Sequence, residues 1–193
     1  MNTLKRFIYE TVKHNKKLQN DITDFGLFIS IPDNIIRQVE NAFPDIKKLS
    51  AHDDSPNHIT LLIINSEYDK LDAVKDIIEN VIAKFSPFKV LLGKTGIFNN
   101  KERNEKVLFI KILSEQLIKI HYALKGALEN ENIKINHFYG EDEIPIYEPH
   151  TTLAYYENDD NNSYALPDLN VSWLVDRIEM WGNMSPILFR LEN

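Results

Sequence analysis

The sequence has no cysteine, which excludes disulfide frameworks, thiolate zinc sites, iron–sulfur clusters and cysteine nucleophiles and leaves the redox compartment open. It also lacks long apolar runs. Stretches such as Leu61 to Ile64 fall far short of the roughly 20 residues that a membrane span requires. No signal-like segment opens the chain, so a cytoplasmic location and no membrane partner are expected. Positive charge is in deficit, with 22 Lys+Arg against 29 Asp+Glu and a formal net charge of -7. That balance argues against coating a long duplex by neutralising phosphates, but it leaves room for a small anionic ligand in a locally positive cleft. What is present suffices for a core. The chain has 193 residues, 43% of them hydrophobic, and at this length roughly 70% of the unfolded surface can be buried without a metal or a disulfide as a staple. One domain, or two small lobes sharing a core, is expected.

Residues 4 to 19 set Leu4, Ile8 and Val12 among Lys5, Arg6, Lys13, Lys16 and Lys17, the pattern of a basic amphipathic helix. This N-terminal arm, residues 1–24, is either a packing element or a partner-binding surface. Beyond it the pattern is one of short strands and helices. Gly26 to Ile31 is strand-like, and Ile35, Ile36, Val39 and Phe43 fall at helical spacing before Pro44. His58 to Ile64 reads as a central strand, residues 69 to 85 as a helix and Phe88 to Gly93 as a strand. Then the order repeats. Val107-Leu108-Phe109-Ile110-Lys111-Ile112 echoes Gly26-Leu27-Phe28-Ile29-Ser30-Ile31, a helix follows from Ser114 to Glu129, and His150 to Tyr155 and Arg177 to Gly182 take the places of the later strands. An internal duplication follows. The expected fold is α+β and bilobal, with two mostly antiparallel sheets facing a central cleft, helices outside, and the N-terminal helix added. Residues 25–193 form a single domain, lobe one about 25–105 and lobe two about 106–193. The polar tract Glu157 to Ser163 is a surface loop.

The duplication brings a His-x-Thr tripeptide into register, His58-Ile59-Thr60 and His150-Thr151-Thr152. With 6 His and 7 Thr in the chain, chance supplies far less than one. Residues i and i+2 of a strand point to one face, so each histidine projects with its threonine, and a twofold relation between lobes would bring two imidazoles and two hydroxyls together. That set suits phosphodiester chemistry. One neutral imidazole accepts a proton from the attacking hydroxyl or water, the other donates one to the leaving oxygen, and the threonines donate to phosphate oxygens. The candidate catalytic residues are His58, Thr60, His150 and Thr152.

The motifs His58-Ile59-Thr60-Leu61 and Glu148-Pro149-His150-Thr151-Thr152-Leu153-Ala154 resemble the two signatures of the 2H phosphoesterase superfamily, the group of the 2′-5′ RNA ligase-like proteins and cyclic phosphodiesterases. The resemblance covers roughly residues 25 to 193. Asp53-Asp54-Ser55-Pro56-Asn57-His58 is also similar to 2H proteins carried by tailed bacteriophages. The resemblance implies a bilobal fold, no metal, no cofactor, and cleavage of 2′,3′-cyclic phosphates or of 2′-5′ or 3′-5′ linkages in RNA ends, oligonucleotides or cyclic nucleotides. For phage members it includes degradation of cyclic-nucleotide immune signals. The alternative is a non-catalytic nucleotide-binding or virion-associated structural module on the same fold. Two departures stand out: the N-terminal helix is not part of the family core, and the loop from Glu131 to Pro149 is longer than its counterpart in the first half.

Further anion-holding candidates are Lys94, Lys101 and Arg103, beside a presumed cleft strand. The other reading of that stretch is a solvated hairpin balanced by Glu102 and Glu105. Tyr147, Tyr156 and Trp181 are candidates to stack a base. Strand alternation puts Tyr156 on the face of His150 and Tyr155 on the core face. Gly93-Lys94-Thr95 lacks the first glycine of a P-loop, which would fall at Phe88. His52, Asp53 and Asp54 beside His58 do not have the spacing of a helical ligand pair, so no metal site is expected. The expected partner is a small nucleotide or an RNA end.

Overall fold

The structure, a computed structural model, describes residues 22–44, 58–67, 70–100, 104–136, 146–157, 169–182 and 185–192. The basic segment 4 to 19, Lys101, Arg103, His52 to Asn57 and the polar tract after Glu157 lie outside the described residues. In chain order the elements are β1 (Ile22–Ser30), α1 (Asp33–Ala42), β2 (His58–Glu67), α2 (Leu71–Ile82), β3 (Phe88–Asn100), β4 (Glu105–Leu113), α3 (Glu115–Asn130), β5 (Lys134–Asn136), β6 (His150–Glu157), β7 (Ser172–Val175), β8 (Arg177–Trp181) and β9 (Ile187–Arg190). Residues 22 to 24, assigned to the arm by the sequence pattern, are the first residues of β1.

Each helix forms because one stripe is apolar. Ile35 and Val39 are buried on α1, Leu71, Val74, Ile78, Val81 and Ile82 on α2, and Leu117, Ile120, Leu124 and Leu128 on α3, the i, i+3, i+4 spacing of a core-facing side. The Ser114 hydroxyl accepts from the Leu117 amide at 3.3 Å and fixes the start of α3. Asn104, with φ of 53°, takes the left-handed conformation immediately before β4.

The strands form two sheets in the orders β5-β2-β1-β8-β9 and β6-β4-β3-β7, and every pairing is antiparallel. The fold is α+β, as the sequence pattern implies. The halves are not separate lobes, however. β3 of the first half pairs with β4 of the second, and β8 of the second pairs with β1 of the first. A boundary near residue 105 therefore divides neither sheet from the other. The exchange puts one hydrophobic core behind both sheets, from Phe25 and Ile59 on one side to Leu108 and Leu153 on the other.

The two motif strands carry the same irregularity. In β1–β2 the register runs Phe28 to Thr60 and then Leu27 to Leu62, leaving Leu61 as the extra residue. In β4–β6 it runs Phe109 to Thr152 and then Leu108 to Ala154, leaving Leu153 extra. A bulge of one residue reverses the alternation beyond it. This corrects the reading of the tyrosines: Tyr156 is buried, 4% exposed, in the core cluster, while Tyr155 is half-buried.

Candidate active site

His58 is the first residue of β2 and His150 the first of β6. Their strands belong to different sheets and touch each other. Opposite His58 in the register stands Ser30, and opposite His150 stands Lys111. Thr60 lies opposite Phe28 and Thr152 opposite Phe109. Both threonines precede the bulge, so each shares the face of its histidine. All four motif residues are half-buried.

The phenylalanines of the repeated Leu-Phe-Ile pack the imidazoles in parallel fashion. Phe28 meets His58 edge-on, with ring centroids 5.1 Å apart, and Phe109 meets His150 at 5.2 Å. A third ring backs each pair. Trp181 lies 5.6 Å from Phe28, while Phe98 lies 5.3 Å from Phe109 and 5.7 Å from His150. Gly96 sits opposite Phe109, and a Cβ there would overlap the Phe109 ring, so only glycine leaves room for the aromatic backing of His150.

Electrostatics separate the two histidines. Burial and then the nearby His150 imidazole push His58 from 6.5 down to about 4. Burial also lowers His150, but the Glu148 backbone carbonyl and the Glu148 charge act in the opposite direction. His150 Nδ1–H donates to the Glu148 carbonyl at 2.8 Å, which fixes the tautomer of the neutral ring with the proton on Nδ1. The Glu148 carboxylate in turn pairs with Lys111. His150 thus stands in a Lys111–Glu148–His150 chain, whereas the position across from His58 that corresponds to the lysine is Ser30.

Tyr147 is committed elsewhere than to an open stacking face. Its ring lies on His121 with centroids 3.9 Å apart and planes 4° apart, and its hydroxyl donates to the Thr60 carbonyl at 2.9 Å. His121 Nδ1–H donates to the Leu61 carbonyl at 2.8 Å. Burial pushes the Tyr147 phenol above its ordinary range. The pair on α3 and the approach to β6 therefore holds the bulge of β2. Lys94 is exposed, in the irregularity between Leu92 and Thr95, next in register to the pair of Lys111 and His150. Trp181 is half-buried on the His58 side, its indole N–H donating to Glu179 at 2.9 Å. Lys101 and Arg103 lie outside the described residues. Among the described residues no group of three or more His, Cys, Asp or Glu is placed to hold a metal ion.

Sequence reasoning left Lys111, Glu148, Phe28 and Phe109 without a role. Signals existed: Lys111 is the single charge in the apolar run Val107 to Leu113, and Phe28 and Phe109 sit at the same place in the repeat that revealed the duplication.

Two antiparallel sheets that exchange strands, with one His-x-Thr on each of two touching strands, define the 2H phosphoesterase class. A model of the 2′-5′ RNA ligase superfamily matches residues 31–183, and the chain belongs to that superfamily of phosphoesterases and RNA ligase-like enzymes. Solved structures share the fold at low identity. TT0787 of Thermus thermophilus is 17% identical with a TM-score of 0.62 over 88% of this chain and 95% of that one. The LigT of E. coli, complexed with 3′-AMP, is 15% identical with a TM-score of 0.60 over 89% and 96%. Usb1 of Kluyveromyces marxianus is 12% identical with a TM-score of 0.55 over 89% and 99%. A comparison with curated protein sequences gives no match. Among the described residues no helix is long and apolar enough to cross a membrane.

Proposed function

We propose that the protein is a metal-independent phosphodiesterase acting on small nucleotides or RNA ends, whether 2′,3′-cyclic phosphates, 2′-5′ or 3′-5′ linked oligonucleotides, or cyclic oligonucleotides. The observation that carries this reading is the pair of His-x-Thr strands, β2 and β6, which begin at His58 and His150 and lie in contact with each other. His58, pushed down further, is the general base. It takes the proton from the attacking water or ribose hydroxyl, whose oxygen forms the new bond to phosphorus. His150, supported by Glu148, is the general acid and gives its Nε2 proton to the leaving oxygen as the old P–O bond breaks. Thr60 and Thr152 donate to the non-bridging oxygens, and Lys94 supplies positive charge on the His150 side. A relative of the same fold holding 3′-AMP is in keeping with a nucleotide-sized substrate. A phage enzyme degrading host cyclic-nucleotide signals fits this chemistry.

The test is incubation with a panel of 2′,3′-cyclic nucleotides, 2′-5′ oligonucleotides and cyclic di- and trinucleotides, with products resolved by mass. Turnover is expected to persist in EDTA and to fall at least about 10²-fold in His58→Ala and in His150→Ala while binding remains. Loss in EDTA that zinc or manganese restores counts against the mechanism. Binding without turnover in the wild type points to the nucleotide-binding module instead.

A further inference from the structure

The register makes the two halves of the site equivalent position by position. Phe28 and Phe109 correspond, as do Ser30 and Lys111, and the strand beside each pairs Trp181 with Gly26 and Phe98 with Val107. One further position follows from this. Glu179 lies opposite Phe28 as Gly96 lies opposite Phe109. Where the His150 side has no side chain, the His58 side has a carboxylate that is 8% exposed.

Glu179 accepts from the Trp181 indole through Oε2, and its Oε1 stands 3.7 Å from Arg177 Nε, whose side chain is half exposed. A nearly buried carboxylate with so loose an ion pair is unfavourable in a fold. It is also the wrong charge for holding phosphate. What it can do is accept hydrogen bonds, and its two oxygens keep lone pairs after the Trp181 bond.

There is space in front of it. Glu179 lines a cavity of about 180 Å³ with Ser30, Trp173, Leu174, Asp176 and Arg177, where the chain passes from β7 in one sheet to β8 in the other. Ser30 is the cross-strand partner of His58, so the cavity opens one strand spacing, about 4.8 Å, from the motif strand. Its walls are mixed: Leu174 is an exposed apolar face, Arg177 a planar cation, and Glu179 an acceptor. A flat heteroaromatic group with donors along one edge fits that combination.

We propose that this cavity recognises the nucleobase next to the scissile phosphate and that Glu179 reads its donor edge, with guanine preferred. Guanine offers N1–H and an exocyclic amino group side by side, matching two carboxylate oxygens. Uracil offers N3–H between two carbonyls that the carboxylate repels. The proposal rests on the phosphodiesterase reading for the placement of the phosphate, and it makes Glu179 a specificity-determining residue.

The experiment compares kcat/KM for the 2′,3′-cyclic phosphates of guanosine, inosine and uridine, using the full chain and Glu179→Gln. Gln keeps an acceptor for Trp181, and far-UV circular dichroism checks that the variant folds. The wild type is expected to prefer guanosine over uridine at least about tenfold, with inosine, which lacks the amino group, between them. Glu179→Gln is expected to lower the guanosine-to-uridine ratio at least about tenfold, through KM more than kcat. Wild-type values within about threefold of one another, or a guanosine preference that survives in Glu179→Gln, overturn the proposal and leave the phosphodiesterase reading standing. If no cyclic nucleotide is turned over, calorimetry with guanosine and uridine 3′-monophosphates addresses the cavity separately. A guanosine preference lost in Glu179→Gln supports the proposal even though the catalytic reading fails, and equal affinities overturn it.

Discussion

At the scale of the residue, two histidines in equivalent places differ because their neighbours differ. His58 faces Ser30 across the strand pair, and His150 faces a lysine that holds Glu148. The reactive form in the proposed mechanism has His58 neutral and His150 charged. With His58 near 4 and His150 below 6.5 but supported by Glu148, that form dominates on the acid side of neutrality. The expected kcat/KM profile is bell-shaped, its maximum below pH 6.5, with limbs that belong to the coupled pair. An anionic phosphate between the rings favours the imidazolium, so the kcat profile should move to higher pH. Rate against pH at low and saturating substrate checks both statements. The same depression affects folding. Above pH 6.5 both states leave His58 neutral. As pH falls from there toward 4, the unfolded chain takes up a proton that the native state refuses, so stability falls. Urea midpoints across this window should decline less steeply in His58→Gln than in the wild type. The motif histidines were legible in the sequence because a doubled tripeptide needs no structure to be seen. Glu148 and Lys111 were not, since their pairing spans 37 residues and rests on a register that periodicity does not reveal.

At the scale of the element, the bulges explain both a success and an error of sequence reasoning. Alternation holds from His58 to Thr60 and from His150 to Thr152, so each motif pair shares a face. It fails after Leu61 and Leu153, so Tyr156 enters the core. An extra residue leaves no mark on hydrophobic period when its neighbours are apolar on both faces, as Leu61 and Leu62 are. The bulge of β2 also frees carbonyls for outside partners, and Tyr147 and His121 take those of Thr60 and Leu61. Because Tyr147 lies three residues before His150, this contact links the two motifs. Tyr147→Phe keeps the stack on His121 and removes one hydrogen bond. It is expected to cost about 1 kcal/mol of stability and to lower kcat more than it raises KM, because it shifts the motifs relative to each other without touching substrate. Urea unfolding and steady-state kinetics on the same preparation test the two effects together.

For the whole molecule, the exchange of β3 and β8 decides how the protein holds together. Element order and the repeat were readable from the sequence, but strand neighbours were not, because Phe88 to Gly93 looks the same whether it pairs with β1 or with β4. β5, β7 and β9 also escaped notice, being only 3 and 4 residues long. Contiguous lobes would allow each half to fold alone. Here the first half has lost the β8 that covers one side of β1, and its β3 has no sheet without β4. The core residues of both halves form one cluster, in which Phe25, Ile59 and Ile78 join Leu108, Ile120 and Leu153. Neither half can therefore bury its apolar faces by itself, and the loss of either sheet exposes the back of the other. The intact chain is expected to unfold in one transition, with coincident midpoints by far-UV and near-UV circular dichroism. A fragment ending at residue 103 should show no cooperative transition alone. Mixed with the fragment from residue 104 onward, it should regain one, because the exchanged strands then find their sheets. Two separated transitions in the intact chain, or a cooperatively folded first half, would mean that the sheets are independent after all and that the crossing of β3 and β8 contributes little to the stability of either.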